Sequence, residues 1–138
     1  MIAASRVAIA GSLIALLAGS TIGLAMGVGW LTLAWRPAHA HLQSLGFVTL
    51  MIQGVAYHAL PRFAGVPLRR PRAALIQVVA AILAVAGMTA GWGFQLGPAW
   101  FATFGGLAWL ANATFVAIGL ELLLRRRPPP AGQPLRSN

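Results

Sequence analysis

Between Arg6 and Arg36 the chain runs through residues 7–35 without one ionisable side chain. Three further stretches of the same kind follow. Residues 39–60 carry histidines but no formal charge, 73–93 carry nothing charged, and 99–120 are clean up to Glu121. A helix rises about 1.5 Å per residue, so about 20 residues cross the roughly 30 Å of hydrocarbon in a bilayer. Each stretch is long enough, and in lipid only a helix satisfies its own backbone within one segment. With 8% of residues charged and 59% hydrophobic, there is too little charge to clothe a soluble surface. The predicted fold class is all-α, a four-helix transmembrane bundle with helices at about 7–35, 39–60, 73–93 and 99–124. The transmembrane domain is assigned to residues 1–124, and the basic, proline-rich tail 125–138 is read as disordered.

The net charge of +9 raises the question of nucleic acid, and the placement of the arginines answers it. If the first helix starts inside, Arg6, Arg62, Arg69, Arg70, Arg72, Arg125, Arg126, Arg127 and Arg136 share one side and Arg36 alone lies on the other. That distribution obeys the positive-inside rule and predicts an inner-membrane protein with both ends cytoplasmic. The arginines are read as topology anchors facing membrane lipids, and nucleic acid is excluded as a partner. The "AHA" at 38–40 resembles a signal-peptidase site. The apolar run before it far exceeds the usual ~7–15 residues, so the first helix is read as retained. The chain has no cysteine, which excludes disulfides, thiolate metal sites, iron–sulfur clusters and covalently attached heme.

The first helix carries Gly11, Ala15, Gly19, Gly23 and Gly27 at an unbroken spacing of four. Small residues so spaced form a groove that admits a neighbouring helix. The second helix is predicted to end at Pro61, ahead of the turn "PRFAGVPLRRPR". The third reads as a plain Ala/Val/Ile/Leu run leading to the hairpin "GWGFQLGP", and the fourth is aromatic near its start. Glu121 stands four residues before Arg125, a favourable helical pair. No loop between the spans is long enough to house soluble chemistry.

All three histidines lie on the second stretch, "PAHAHLQSLGFVTLMIQGVAYHALPRF". At about 100° per residue His39 and His41 point roughly 200° apart. The stripe below His39 holds Gln43, Gly46, Leu50, Gln53 and Tyr57, and is suited to a protein interior. The stripe below His41 holds Leu45, Val48, Ile52 and Val55, and is suited to lipid, a partner helix or the flat face of a porphyrin. His58 lies about 26 Å deeper than His41 and reads as interfacial. Polar groups in a bilayer pair or bind something. A bare zinc or copper site lacks ligands, since there is no aspartate and Glu121 lies at the other membrane face. Heme iron needs only one or two neutral axial ligands, with an apolar pocket around the ring.

Residues His39-Ala40-His41, Gly46, Gly54-Val55-Ala56-Tyr57 and Leu60-Pro61-Arg62 resemble the tenth helix of heme–copper oxidase catalytic subunits, in the branch of cbb-type cytochrome c oxidases and nitric oxide reductases. The match covers about 25 of 138 residues. The resemblance implies heme b, with the first histidine of the pair as ligand of a high-spin heme and the second as ligand of a low-spin heme. The histidines of that family's copper centre have no counterpart, so copper finds no ligand set in one chain. A full catalytic subunit has three arcs of four helices, and this chain is similar to one arc. The resemblance therefore implies a homo-oligomer, a trimer above all. No other helix carries a histidine, so a second histidine ligand must come from another chain. Met26 and Met88 are the alternatives within the chain. Arg36, three residues before His39, is a candidate for holding a heme propionate, and Trp30 and Trp35 read as interface-belt residues.

Three functions are consistent with these residues. The first is a heme-b-binding membrane protein that transfers electrons or binds a small gas, nitric oxide or oxygen. The second is a cofactor-free structural or assembly partner of a respiratory membrane complex, docking through the Gly11–Gly27 groove. The third is reduction of nitric oxide or oxygen by a homo-oligomer. Whether the chain is an enzyme is not decided by its sequence.

Overall fold

A computed structural model describes residues 2–125, which form helices joined by short turns, with no strand among them. The tail beyond Arg125, with Arg126, Arg127 and Arg136, lies outside the described residues. Four rods form the bundle. The first is α1 (Ala3–Gly27). The second joins α2 (Arg36–His41), a π-wound segment (Leu42–Thr49) and α3 (Leu50–Ala64) without a break. The third is α4 (Pro71–Gly93) and the fourth α5 (Pro98–Leu124). Helices α1, α4 and α5 are each long and apolar enough to cross a membrane.

The first helix is shorter than its apolar stretch. It ends at Gly27, and Gly29 adopts a left-handed φ of +78° while Trp30 and Leu31 both donate to the Ala25 carbonyl. By then α1 has risen about 37 Å, more than the hydrocarbon requires. A 3₁₀ turn, Leu33–Trp35, leads into α2. The second rod also departs from expectation, because it does not stop at Pro61. It continues to Ala64, where Gly65 turns left-handed (φ +66°). Val66 N–H donates to the Pro61 carbonyl and Gly65 N–H to the Arg62 carbonyl, the paired bonds of a Schellman motif, and Val66 is buried beneath them. Pro61 lacks the N–H that would reach Tyr57, and a missing bond in the last turns does not stop the helix.

Small residues bring α1 against the second rod. Buried positions on α1 are Ala4, Ser5, Ala8, Ser12, Ala15 and Gly19. Opposite them, a Cβ on Gly46 would fall 2.7 Å from Ala15 Cβ, and one on Gly54 would fall 2.8 Å from Ile9 Cγ1. The groove of the first helix is thus filled from within the chain, by the second rod from Ala15 to Gly23 and chiefly by Ile82 of α4 at Gly11, and Gly27 alone of the stripe meets nothing within 4 Å. Ser5 adds a hydrogen bond to the Gly54 carbonyl at 2.7 Å. Helix α4 lies at the centre, in contact with α1, the second rod and α5. Large apolar residues such as Leu17, Ile52 and Leu124 face outward, an outer surface suited to lipid.

The third stretch is not plain. Gln77 is buried at its heart and joins a chain of amides across three rods. Tyr57 Oη donates to Gln77 Oε1 at 2.8 Å, Gln77 Nε2 to Gln53 Oε1 at 3.0 Å, and Gln53 Nε2 to Asn112 Oδ1 at 2.9 Å. Gln77→Leu deletes two of these bonds and leaves Tyr57 and Gln53 short of partners. The expected loss is about 1–3 kcal/mol, read as a lower midpoint of SDS- or heat-induced unfolding. An unchanged midpoint would show that the relay does not bind the rods together.

The termini of the rods sort the charges. Arg6, Arg62, Arg69, Arg70, Arg72 and Arg125 gather at one end of the bundle, and Arg36 stands at the other beside the histidine pair. Glu121 does not pair with Arg125 as expected. It lies 3.6 Å from Arg69 Nη1, because the loop before α4 folds over the end of α5.

Candidate functional site

The site grows from the winding of the second rod. Buried residues along it are Ala38, Leu42, Gly46, Leu50 and Gly54, each four apart, followed by Tyr57. In a straight α-helix such a row drifts about 40° per step and would swing away from α1 and α4. The π-wound turns cancel that drift, and Thr49 Oγ1 marks them by donating to the Ser44 carbonyl five residues back. From the middle of the π segment onward the predicted interior stripe holds: Gly46, Leu50, Gln53 and Tyr57 are buried. Above it the interior line has moved by one residue, from His39 and Gln43 to Ala38 and Leu42.

That shift repositions both imidazoles. His39 and His41 flank the Ala38–Leu42 line at about 80° on either side. His39 lies toward α1, where its Nδ1 is 2.7 Å from the Gly19 carbonyl oxygen. Its ring fills the space left by Gly23, where a Cβ would come within 2.9 Å of His39 Cε1. His41 was expected on a smooth apolar stripe suited to lipid, a partner helix or the flat face of a porphyrin. Instead it is half-buried toward α4, with its ring centroid 6.3 Å from that of Trp92. Its Nδ1 is 2.7 Å from the Pro37 carbonyl oxygen, one turn back.

A carbonyl oxygen can only accept. Each Nδ1 therefore carries a proton, and in the neutral form of either ring the lone pair lies at Nε2. Histidines that bind metals are held in this way, the second ring nitrogen donating to a carbonyl or carboxylate that fixes the ring and raises its basicity. The rings open to opposite sides of α2, so they present two separate ligands rather than one chelate. Among the described residues no group of three or more His, Asp or Glu converges.

The surroundings are apolar and aromatic. Trp92 stacks at a tilt on Phe101 with centroids 4.5 Å apart. Trp35 is more than an interface residue: a Cβ on Gly93 would meet its ring at 2.5 Å, so it braces the start of α2 against α4. Trp30 is 82% exposed, as a belt residue would be. Arg36 is exposed at the start of α2. His58 lies at the far end of the rod, on the arginine-rich side, and takes no part in this site.

Sequence reasoning passed over Trp92, Gln77 and Asn112. An isolated amide in an apolar run was the available signal for the last two. Trp92 gave none, because its position beside His41 depends on how α4 lies against α2. No family model, no curated protein and no solved structure matches the chain.

Proposed function

We propose that the chain is a heme-b-binding protein of the bacterial cytoplasmic membrane, its arginine-rich end in the cytoplasm, that transfers single electrons or binds a small gas such as nitric oxide or oxygen. One observation carries this reading. Two imidazoles on one short helix are each tied by Nδ1 to a backbone carbonyl, leaving Nε2 as the basic nitrogen. Heme iron takes neutral nitrogen ligands within apolar walls, and the donor set fits that demand. His39 would serve one heme on the α1 side and His41 another on the α4 side. Arg36 would hold a propionate by a charge-assisted bond. Bound heme supplies a one-electron couple and, where one axial position is free, a place for a gas.

The protein's own part is to aim each Nε2, to fix each ring through its Nδ1–H bond, and to exclude water with Trp35, Trp92 and Phe101. The likeness of residues 39–62 to one helix of the heme–copper oxidases supports the same reading. The histidines lie on one rod, so a bis-histidine heme takes its second ligand from another copy, and a trimer reproduces the three arcs of that family. Reduced-minus-oxidised spectra of the purified protein, with and without carbon monoxide, test the proposal. A Soret band with sharp α and β bands marks the electron carrier, and a carbon monoxide shift marks an open position. A colourless protein ends both.

A second reading rests on the His39–Gly19 bond, which crosses between rods and clamps them without any cofactor. On this view the chain is an assembly partner of a respiratory complex. It is colourless, and its histidines serve only the packing of its own rods.

A further inference from the structure

The outer face of α3 dips where Ala56 and Ala59 interrupt larger side chains, forming an apolar trough of about 370 Å³. Met51, Ile52 and Val55 wall its inner end, and Leu60 and Phe63 its outer end. Ile52, Val55, Ala59 and Arg62 share one stripe at spacings of three and four, which places Arg62 next along that stripe beyond the trough's lining, on the arginine-rich side. The Arg62 side chain is exposed. The chain's single acidic side chain, Glu121, is engaged with Arg69, which leaves Arg62 without a carboxylate among the described residues. His58, one turn before Arg62, brings a second polar donor to the same end.

The dimensions select an occupant. From Met51 to Phe63 the trough follows about 18 Å of helix, close to the ~15 Å of one leaflet and well short of a full span. A partner helix would use the whole rod. An apolar slot one leaflet deep with an unpaired cation at its mouth has the outline of an anionic phospholipid. We infer that α3 holds one such lipid, its acyl chain over Ala56 and Ala59 and its phosphate at Arg62. The inference needs the bundle to lie in a membrane and does not depend on heme.

Native mass spectrometry of the full chain, released from micelles with equal phosphatidylglycerol and phosphatidylcholine, tests it. The chain should retain phosphatidylglycerol about fivefold over phosphatidylcholine, the ratio equivalent to the ~1 kcal/mol that one surface cation contributes. Arg62→Gln should bring the two lipids to parity, and Ala59→Phe should lower retention of both. Inorganic phosphate should not displace the lipid. Equal retention by the unaltered chain, or an unchanged preference in Arg62→Gln, overturns the inference. So does displacement by phosphate, which would mark a free-anion site, or a change of oligomer in Ala59→Phe, which would mark the trough as an interface between copies. The heme spectrum is read separately and stays the same in both variants.

Discussion

Protein carrying His39→Ala together with His41→Ala is expected to lose its Soret band, with heme per chain falling at least about tenfold, as removal of an axial ligand demands. The single variants separate the two sides of α2. His39→Ala should remove the carbon monoxide-responsive heme, and His41→Ala the low-spin one. His39→Ala also breaks the bond to the Gly19 carbonyl, worth about 1 kcal/mol in a lipid setting, so a small drop in unfolding midpoint accompanies it. His41→Ala breaks only a bond within its own rod and should leave the midpoint nearly unchanged. Free imidazole added to the single variants should restore pigment, since it supplies the missing nitrogen without the chain. Full pigment in the double variant would overturn the assignment. A colourless unaltered protein whose double variant still folds and associates would favour the assembly reading.

Gly46→Leu should be strongly damaging to the bundle. A Cβ there meets Ala15 Cβ at 2.7 Å and Val85 Cγ1 at 3.2 Å. Ala15 Cβ is fixed to the backbone of α1, so relief requires the helix itself to move. Overpacking of this kind costs about 1–3 kcal/mol, and the upper end is expected where backbone must shift. The effect should spread to the site, because α1 carries the Gly19 carbonyl that holds His39. Gly105→Leu provides the contrast: nothing lies within 4 Å of a Cβ there, and its unfolding midpoint should barely change. Pairing Ala15→Gly with Gly46→Ala should recover most of the stability lost by Gly46→Ala alone. Equal midpoints for Gly46→Leu and Gly105→Leu would show that α1 and the second rod do not press together at this point.

Much of the architecture was legible before any coordinates. Apolar runs between arginines marked four helical rods, with α4 and α5 starting and ending within about two residues of the predicted spans. The small-residue spacing on α1 identified a packing face correctly, though not its partner. The interior stripe from Gly46 to Tyr57 followed from helical periodicity. Errors fell where local patterns compete. Gly27 and Gly29 stopped α1 inside an apolar run, and Pro61 was absorbed by a helix capped three residues later. The Glu121–Arg125 spacing was favourable, yet the carboxylate turned to Arg69 from a different loop.

The sequence by itself determined the solvent this chain suits, the number of its rods, the end at which its cations gather, and the helix that bears its histidines. These depend on composition along the chain, which hydrophobic transfer reads residue by residue. Only the tertiary structure decided which way the histidines face, which nitrogen each keeps free, and which amides meet across the bundle. Those outcomes hang on a π-wound turn, on carbonyls of Gly19 and Pro37, and on side chains tens of residues distant. Apart from the His41–Pro37 bond, which lies within one rod, no local pattern encodes them, because they are settled by the close packing of one rod against another.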